Sequence, residues 1–165
     1  MGIYDQLNSK TMLEYLVMIH EQSYSQIGRK LHITPQQFSD WIKKRRPIPE
    51  ERLKALSDYF GVSTEYLVDD NSYAGELTPI NKLDIQMILV HRKMEESPIE
   101  DADVYQTKLY ELQKEKERQI RIARLVAMLQ QDNDNVNWII DKVLEQLESG
   151  NETALAHKLR QEGTP

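Results

Sequence analysis

Two capping boxes stand eleven residues apart, Ser23 with Gln26 and Thr34 with Gln37, and they divide the stretch SYSQIGRKLHITPQQFSDWIKKRR (residues 23–46) into two short helices joined by a tight connection. In each box a hydroxyl accepts the backbone amide three residues on while that residue's carboxamide reaches back, and Pro35 occupies the first helical position of the second helix. Ile27, Leu31 and Ile33 in the first half, and Phe38, Trp41 and Ile42 in the second, recur so that each helix has one face to bury. Gln36, Gln37, Ser39, Asp40 and Lys43 are left to solvent.

The chain's net charge of −6 argues at first against a polyanionic partner, but its distribution reverses that. Residues 29–46 hold six cations (Arg29, Lys30, Lys43, Lys44, Arg45, Arg46) and one anion (Asp40), a local charge of +5. Most of the acidic surplus lies beyond residue 71. Attraction to phosphate follows the local patch rather than the sum.

The remaining N-terminal sequence reads as three more short helices. Thr11 with Glu14 opens the first, with Leu13, Leu16, Val17 and the stem of His20 on its apolar side. Pro47-Ile48-Pro49 interrupts the chain before a fourth helix lined by Leu53, Leu56, Tyr59 and Phe60 and ended by Gly61, and a fifth runs from Ser63 to Leu67. Residues 1–68 are therefore expected as a compact all-α domain, 69–77 (DDNSYAGEL) as a polar linker, and 78–165 as a second helical region with a frayed end.

In that second region Thr78-Pro79 opens a helix through Met94, with Ile80, Leu83, Met87, Ile88 and Val90 on one side. Ser97-Pro98-Ile99-Glu100 is a further capping box, starting a helix to about Gln130 that is apolar at both ends and polar around Gln113 to Gln119, as a helix bridging two packed regions would be. A strongly amphipathic helix follows the turn at 132–135, and a weak one carries Leu155 and Leu159. Their apolar faces exceed what a few helices hide among themselves, so Tyr105, Leu109, Leu112, Val136, Ile139, Ile140, Val143 and Leu147 are the expected oligomerisation surface.

Residues 10–68 resemble the Cro/CI-type helix-turn-helix, or XRE, family. Ile27, Gly28, Leu31, Ile33, Phe38 and Trp41 fall where that motif has apolar, small, apolar, apolar, apolar and apolar residues, and RRPIPEERLKALSDYFGVSTEYLV is similar to its fourth and fifth helices. His32 departs from the glycine usual in the turn. The resemblance implies a five-helix, lambda-repressor-like fold whose third helix enters the major groove. It implies base readout by Gln36, Gln37, Ser39 and Asp40, and phosphate contacts from Ser23, Tyr24, Thr34, Lys43, Lys44, Arg45 and Arg46.

Other chemistries find no support. The chain has no cysteine, and His20, His32, His91 and His157 are scattered without carboxylate partners, so no metal and no cofactor is expected. Asp132 and Asp134 begin like a calcium loop, but Val136 takes a ligand place and the turn glycine is missing. Gln6 stands where a Gly2 lipidation signal needs Ser or Thr, and no apolar run would cross a bilayer. The expectation is a cytoplasmic, bacterial, nucleoid-associated regulator rather than an enzyme. It would repress transcription by binding double-stranded operator DNA as a dimer or tetramer on inverted half-sites. Two alternatives remain: a C-terminal sensor or docking module for a protein or peptide modulator, and a helix-turn-helix used only for protein interaction.

Overall fold

The computed structural model describes residues 11–98 and 101–162. The readings at positions 2 and 6, the Ile99-Glu100 half of the fourth capping box, and the frayed end past residue 162 lie outside the described residues. All described elements of regular length are α-helices: α1 (Met12–Ile19), α2 (Tyr24–Leu31), α3 (Pro35–Ile42), α4 (Glu50–Phe60), α5 (Thr64–Leu67), α6 (Pro79–Glu96), α7 (Ala102–Leu129), α8 (Asp134–Glu148) and α9 (Glu152–Glu162). The chain divides into two compact units, the first ending at Gln119 and the second beginning at Ile120.

The first unit is built around one core. Met12, Leu13, Leu16, Ile27, Phe38, Ile48, Leu56, Phe60, Leu67 and Ile85 are its fully buried large side chains, drawn from α1 to α6 and the 43–49 connection. The boxes at Thr11, Ser23 and Thr34 form as the sequence requires, each with both reciprocal hydrogen bonds. Helix C-termini are closed by arginines: Arg52 Nη1 donates to the Leu31 carbonyl and Arg92 Nη2 to the Gly61 carbonyl, each at 2.8 Å. These place positive charge where the helix dipole is negative.

Residues 69–77, expected as a linker, are instead a strap across this core. Ala74 and Leu77 are buried, and the backbone of the strap answers otherwise unpaired groups: Met12 N donates to the Gly75 carbonyl (2.9 Å) and Ile48 N to the Ser72 carbonyl (2.8 Å). Asp69 Oδ1 accepts from both Asn71 N and Tyr73 N at 3.0 Å, which folds the segment back so that Val68 and Ala74 form an isolated antiparallel bridge. Polar composition concealed a packed turn because the Asp69 carboxylate is spent on the strap's own amides. The core also continues into α6, where Ile85 is buried and Ile88 and Leu89 pack against it, so α6 belongs with the N-terminal helices.

Leu112 requires a second correction. It is 7% exposed within the single chain, which withdraws it from any surface open to a partner. The polar middle of α7 is tied to α6 through Lys116 Nζ and Asp84 Oδ1 at 2.5 Å.

The second unit comprises the end of α7 with α8 and α9. None of its described residues is buried. Val136, Ile140 and Val143 are half-buried, whereas Ile139, Leu147, Leu125, Val126 and Leu129 stand open.

Candidate nucleic-acid interface

Helix α2 ends at His32, which takes the left-handed conformation (φ 54°, ψ 41°), and Ile33 N donates back to the Gly28 carbonyl at 2.8 Å. The residue that departs from the usual turn glycine thus adopts the glycine's backbone conformation, one that histidine tolerates better than most side chains. Gly28 is needed for a different reason. A Cβ there would collide with the Ile33 carbonyl oxygen and lie 3.6 Å from the Phe38 ring, so the tight approach of the turn to α2 fixes the angle at which α3 leaves.

Helix α3 is held from behind. Phe38 and Trp41 are buried and meet edge-on, with ring centroids 5.9 Å apart, and Tyr24 tilts onto Phe38 from the start of α2 at 5.3 Å. The opposite stripe is Gln36, Ser39, Asp40 and Lys43, at the i, i+3, i+4, i+7 spacing of one helix face. Gln36 and Lys43 are exposed and Ser39 and Asp40 partly so.

The two glutamines are placed differently. Gln37 lies off this stripe, and its Oε1 accepts from Thr34 N at 2.8 Å as the closing half of the capping box. While the box is closed, one lone pair of that oxygen is taken, and Gln37 offers chiefly its amide hydrogens. Gln36 is outside the box, and its Nε2 donates to Asp40 Oδ1 at 2.9 Å.

Beyond α3 the chain turns back through Lys44, another residue with positive φ (52°). Lys44 N donates to the Trp41 carbonyl and Arg45 N to the Asp40 carbonyl, the paired bonds of a Schellman ending. That turn brings Arg45 Nη1 to 3.7 Å from Asp40 Oδ1 and Arg46 Nε to 3.9 Å from Oδ2. Lys44 Nζ reaches Glu76 of the strap at 3.3 Å.

At the other end, the capping hydroxyls of Ser23 and Thr34 accept from the Gln26 and Gln37 amides at 3.2 Å, which leaves each O–H free to donate outward beside a helix N-terminus. Burial, and after it the Glu14 carboxylate, push the Tyr24 phenol above its ordinary range, so it stays protonated at neutral pH. Ser25, Gly28, Arg29 and His32 line one face of α2, and together with Thr34 and Pro35 they border a groove of about 590 Å³. In the sequence Arg29 stands out only as part of the charge patch. Its spacing from Ser25 and His32 marks that face, but its position beside the start of α3 is a tertiary fact.

No group of three or more His, Asp or Glu able to hold a metal exists among the described residues, and no helix among them is long and apolar enough to cross a membrane. Neither the curated proteins nor the solved structures yielded a match. Residues 18–67 match the family model described as "Helix-turn-helix". The match spans α2 to α5, with both capped starts, the His32 turn and the cation run inside it, and it points to a regulator rather than an enzyme. Residues 18–67 are therefore a helix-turn-helix domain of the Cro/C1 (XRE) type, a domain that implies DNA binding.

Proposed function

We propose that the protein is a sequence-specific transcriptional repressor that binds operator DNA as a homo-oligomer. The observation that carries this reading is the arrangement on α3: an exposed polar face, locked from behind by Phe38 and Trp41, with donor hydroxyls at one end and Lys43 to Arg46 at the other. Base readout falls first to Gln36, whose carboxamide can pair with adenine at two points, then to Gln37 as a donor and to Ser39. Ser23, Tyr24, Thr34 and the four cations hold phosphates, and Arg29 joins them.

Oligomerisation is supported by the second unit. A helical unit with no buried described residue and with Trp138, Ile139, Leu125 and Leu129 open to solvent lacks a core of its own unless a partner supplies the other half. Two copies would place two α3 helices about 34 Å apart on inverted half-sites, each copy reading only a few base pairs. Tyr105 and Leu109 are partly buried in the first unit, with the Tyr105 hydroxyl 3.1 Å from Ser97 Oγ, so the assembly surface is centred on the end of α7 and on α8.

A second reading, that α6 and α7 sense a peptide or protein, is favoured by a groove of about 600 Å³ bordered by Val90, Val104, Tyr105 and Lys108. Its peptide would alter operator affinity without altering the site selected.

The test is binding of the full chain to genomic fragments across a salt series. Replacing Lys43, Lys44, Arg45 and Arg46 by Ala should weaken cognate and random DNA alike and flatten the log–log salt dependence by about 3 to 4. Gln36→Ala should instead cost about 1 to 3 kcal/mol on the cognate site only. Absence of binding at low salt would sink the reading.

A further inference from the structure

We infer that Asp40 is a positioning residue: it fixes which way the Gln36 carboxamide faces and holds Arg45 and Arg46 beside the reading face, rather than touching a base itself. The inference rests on the DNA-reading role proposed for Gln36.

The argument begins with the chemistry of the two side chains. An ionised carboxylate only accepts hydrogen bonds, so the group that Gln36 turns toward Asp40 has to be its NH2. With Nε2 donating to Asp40 Oδ1 at 2.9 Å, the Oε1 atom and the second amide hydrogen face outward. That outward pair, one acceptor and one donor, is the complement of adenine's N6 donor and N7 acceptor in the major groove. Without Asp40 the carboxamide can rotate freely and present either order.

Asp40 is poorly placed to read a base itself. Its side chain is 13% exposed, and both oxygens face protein cations, Oδ1 toward Arg45 and Oδ2 toward Arg46. A carboxylate at a phosphate-binding surface repels DNA unless its charge is offset, and here two arginines offset it. Those arginines are 59% and 77% exposed, so they keep contact with solvent where phosphates would lie. The Schellman turn at Lys44 sets the path of the chain by backbone bonds, so removing the Asp40 side chain leaves that path intact and releases only the Arg45 and Arg46 side chains.

The experiment is selection of a randomised duplex library by the full chain, with affinity for unselected duplex measured beside it. Wild type should enrich adenine at one position per half-site, and Gln36→Ala should lose that enrichment. Asp40→Ala and Asp40→Asn should reduce it about 5-fold or more, within the discrimination that one bidentate pair supplies. Their affinity for random duplex should hold or rise, because a negative charge has left the surface.

In the Gln36→Ala background, Asp40→Ala should change base preference no further. Full adenine enrichment in Asp40→Ala would overturn the proposal. So would a further change in preference on adding Asp40→Ala to Gln36→Ala, since Asp40 would then be reading a base directly.

Selection of no sequence by wild type would mean that the DNA-reading role had failed. The positioning claim is then decided by the Gln36 side-chain NH2 resonances of the free protein. These should shift toward the positions of a solvent-exposed glutamine in Asp40→Ala, and unchanged resonances would refute the contact.

Discussion

Trp41 is 3% exposed on α3 and Trp138 is 63% exposed on α8, and the contrast extends to the two units that contain them. In the first unit, short helices with one apolar face each converge on Phe38, Phe60, Leu16 and Leu56, and their ends are answered by boxes, arginines and the 69–77 strap. In the second, α8 has a well-formed N-cap, with Asn133 Oδ1 accepting from Asn135 N (3.0 Å) and Val136 N (3.2 Å), yet it buries none of its residues. Local signals alone therefore make a helix. What makes a folded unit is that the faces they create find one another, and only the first unit achieves that within one chain.

The sharpest way to break the comparison is to empty the first core. Phe38→Ala removes a fully buried ring that Trp41 and Tyr24 both touch, and should cost about 3 to 5 kcal/mol. In a Trp138→Phe background Trp41 is the remaining tryptophan, so its emission during urea unfolding reports this loss directly. A cost below about 1 kcal/mol would mean that the first unit is not held by this core.

The second unit should respond to concentration instead. Leu125→Asp combined with Ile139→Asp places charges on its open apolar surface and should weaken self-association about 100-fold, roughly 2.7 kcal/mol, leaving Trp41 emission unchanged. Light scattering of the full chain at micromolar concentration is the measurement. If wild type is already monomeric there, the open surface serves something other than self-assembly.

Next in size is a cap. Thr34→Ala removes the acceptor for Gln37 N and half of the box that starts α3, at a cost of about 1 kcal/mol in the same urea experiment. It also frees Gln37 Oε1 only if the box opens, so a stability loss accompanied by altered base preference would tie the cap to readout.

How far the molecule could be read from its residues follows from the same contrast. Capping boxes are local, and Thr11/Glu14, Ser23/Gln26 and Thr34/Gln37 all form where the sequence puts them. The helix-turn-helix was legible because its apolar spacing, Gly28 and caps agree. The strap was not, because Ala74 and Leu77 are two apolar residues among turn formers and become core only in the tertiary cluster they share with α1 to α6. The Gln36–Asp40 pair follows from i, i+4 spacing on one helix, but the approach of Arg45 and Arg46 to Asp40 depends on a left-handed turn at Lys44, and lysine carries no turn signal. Trp138 escaped because it lies off the regular stripe of α8.

The smallest effect separates the units by pH. Burial raises the Tyr15 phenol above its ordinary value, and the hydrogen bond from Gln86 Nε2 (3.4 Å) only partly offsets this. A folded-state value above the unfolded one, near 10, means that above about pH 10 the unfolded chain gives up this proton more readily. The stabilisation is therefore complete below that pH and is lost as pH climbs through the folded value. Tyr15→Phe removes the ionisation, so the first unit should hold its urea midpoint further into alkali than wild type, with Tyr24 and Tyr66 supplying the loss that remains. Residues 120–165 contain no tyrosine, so the second unit should show no tyrosine-linked loss over the same range. Identical alkaline limbs for wild type and Tyr15→Phe would show that Tyr15 does not contribute to the alkaline sensitivity of the first unit.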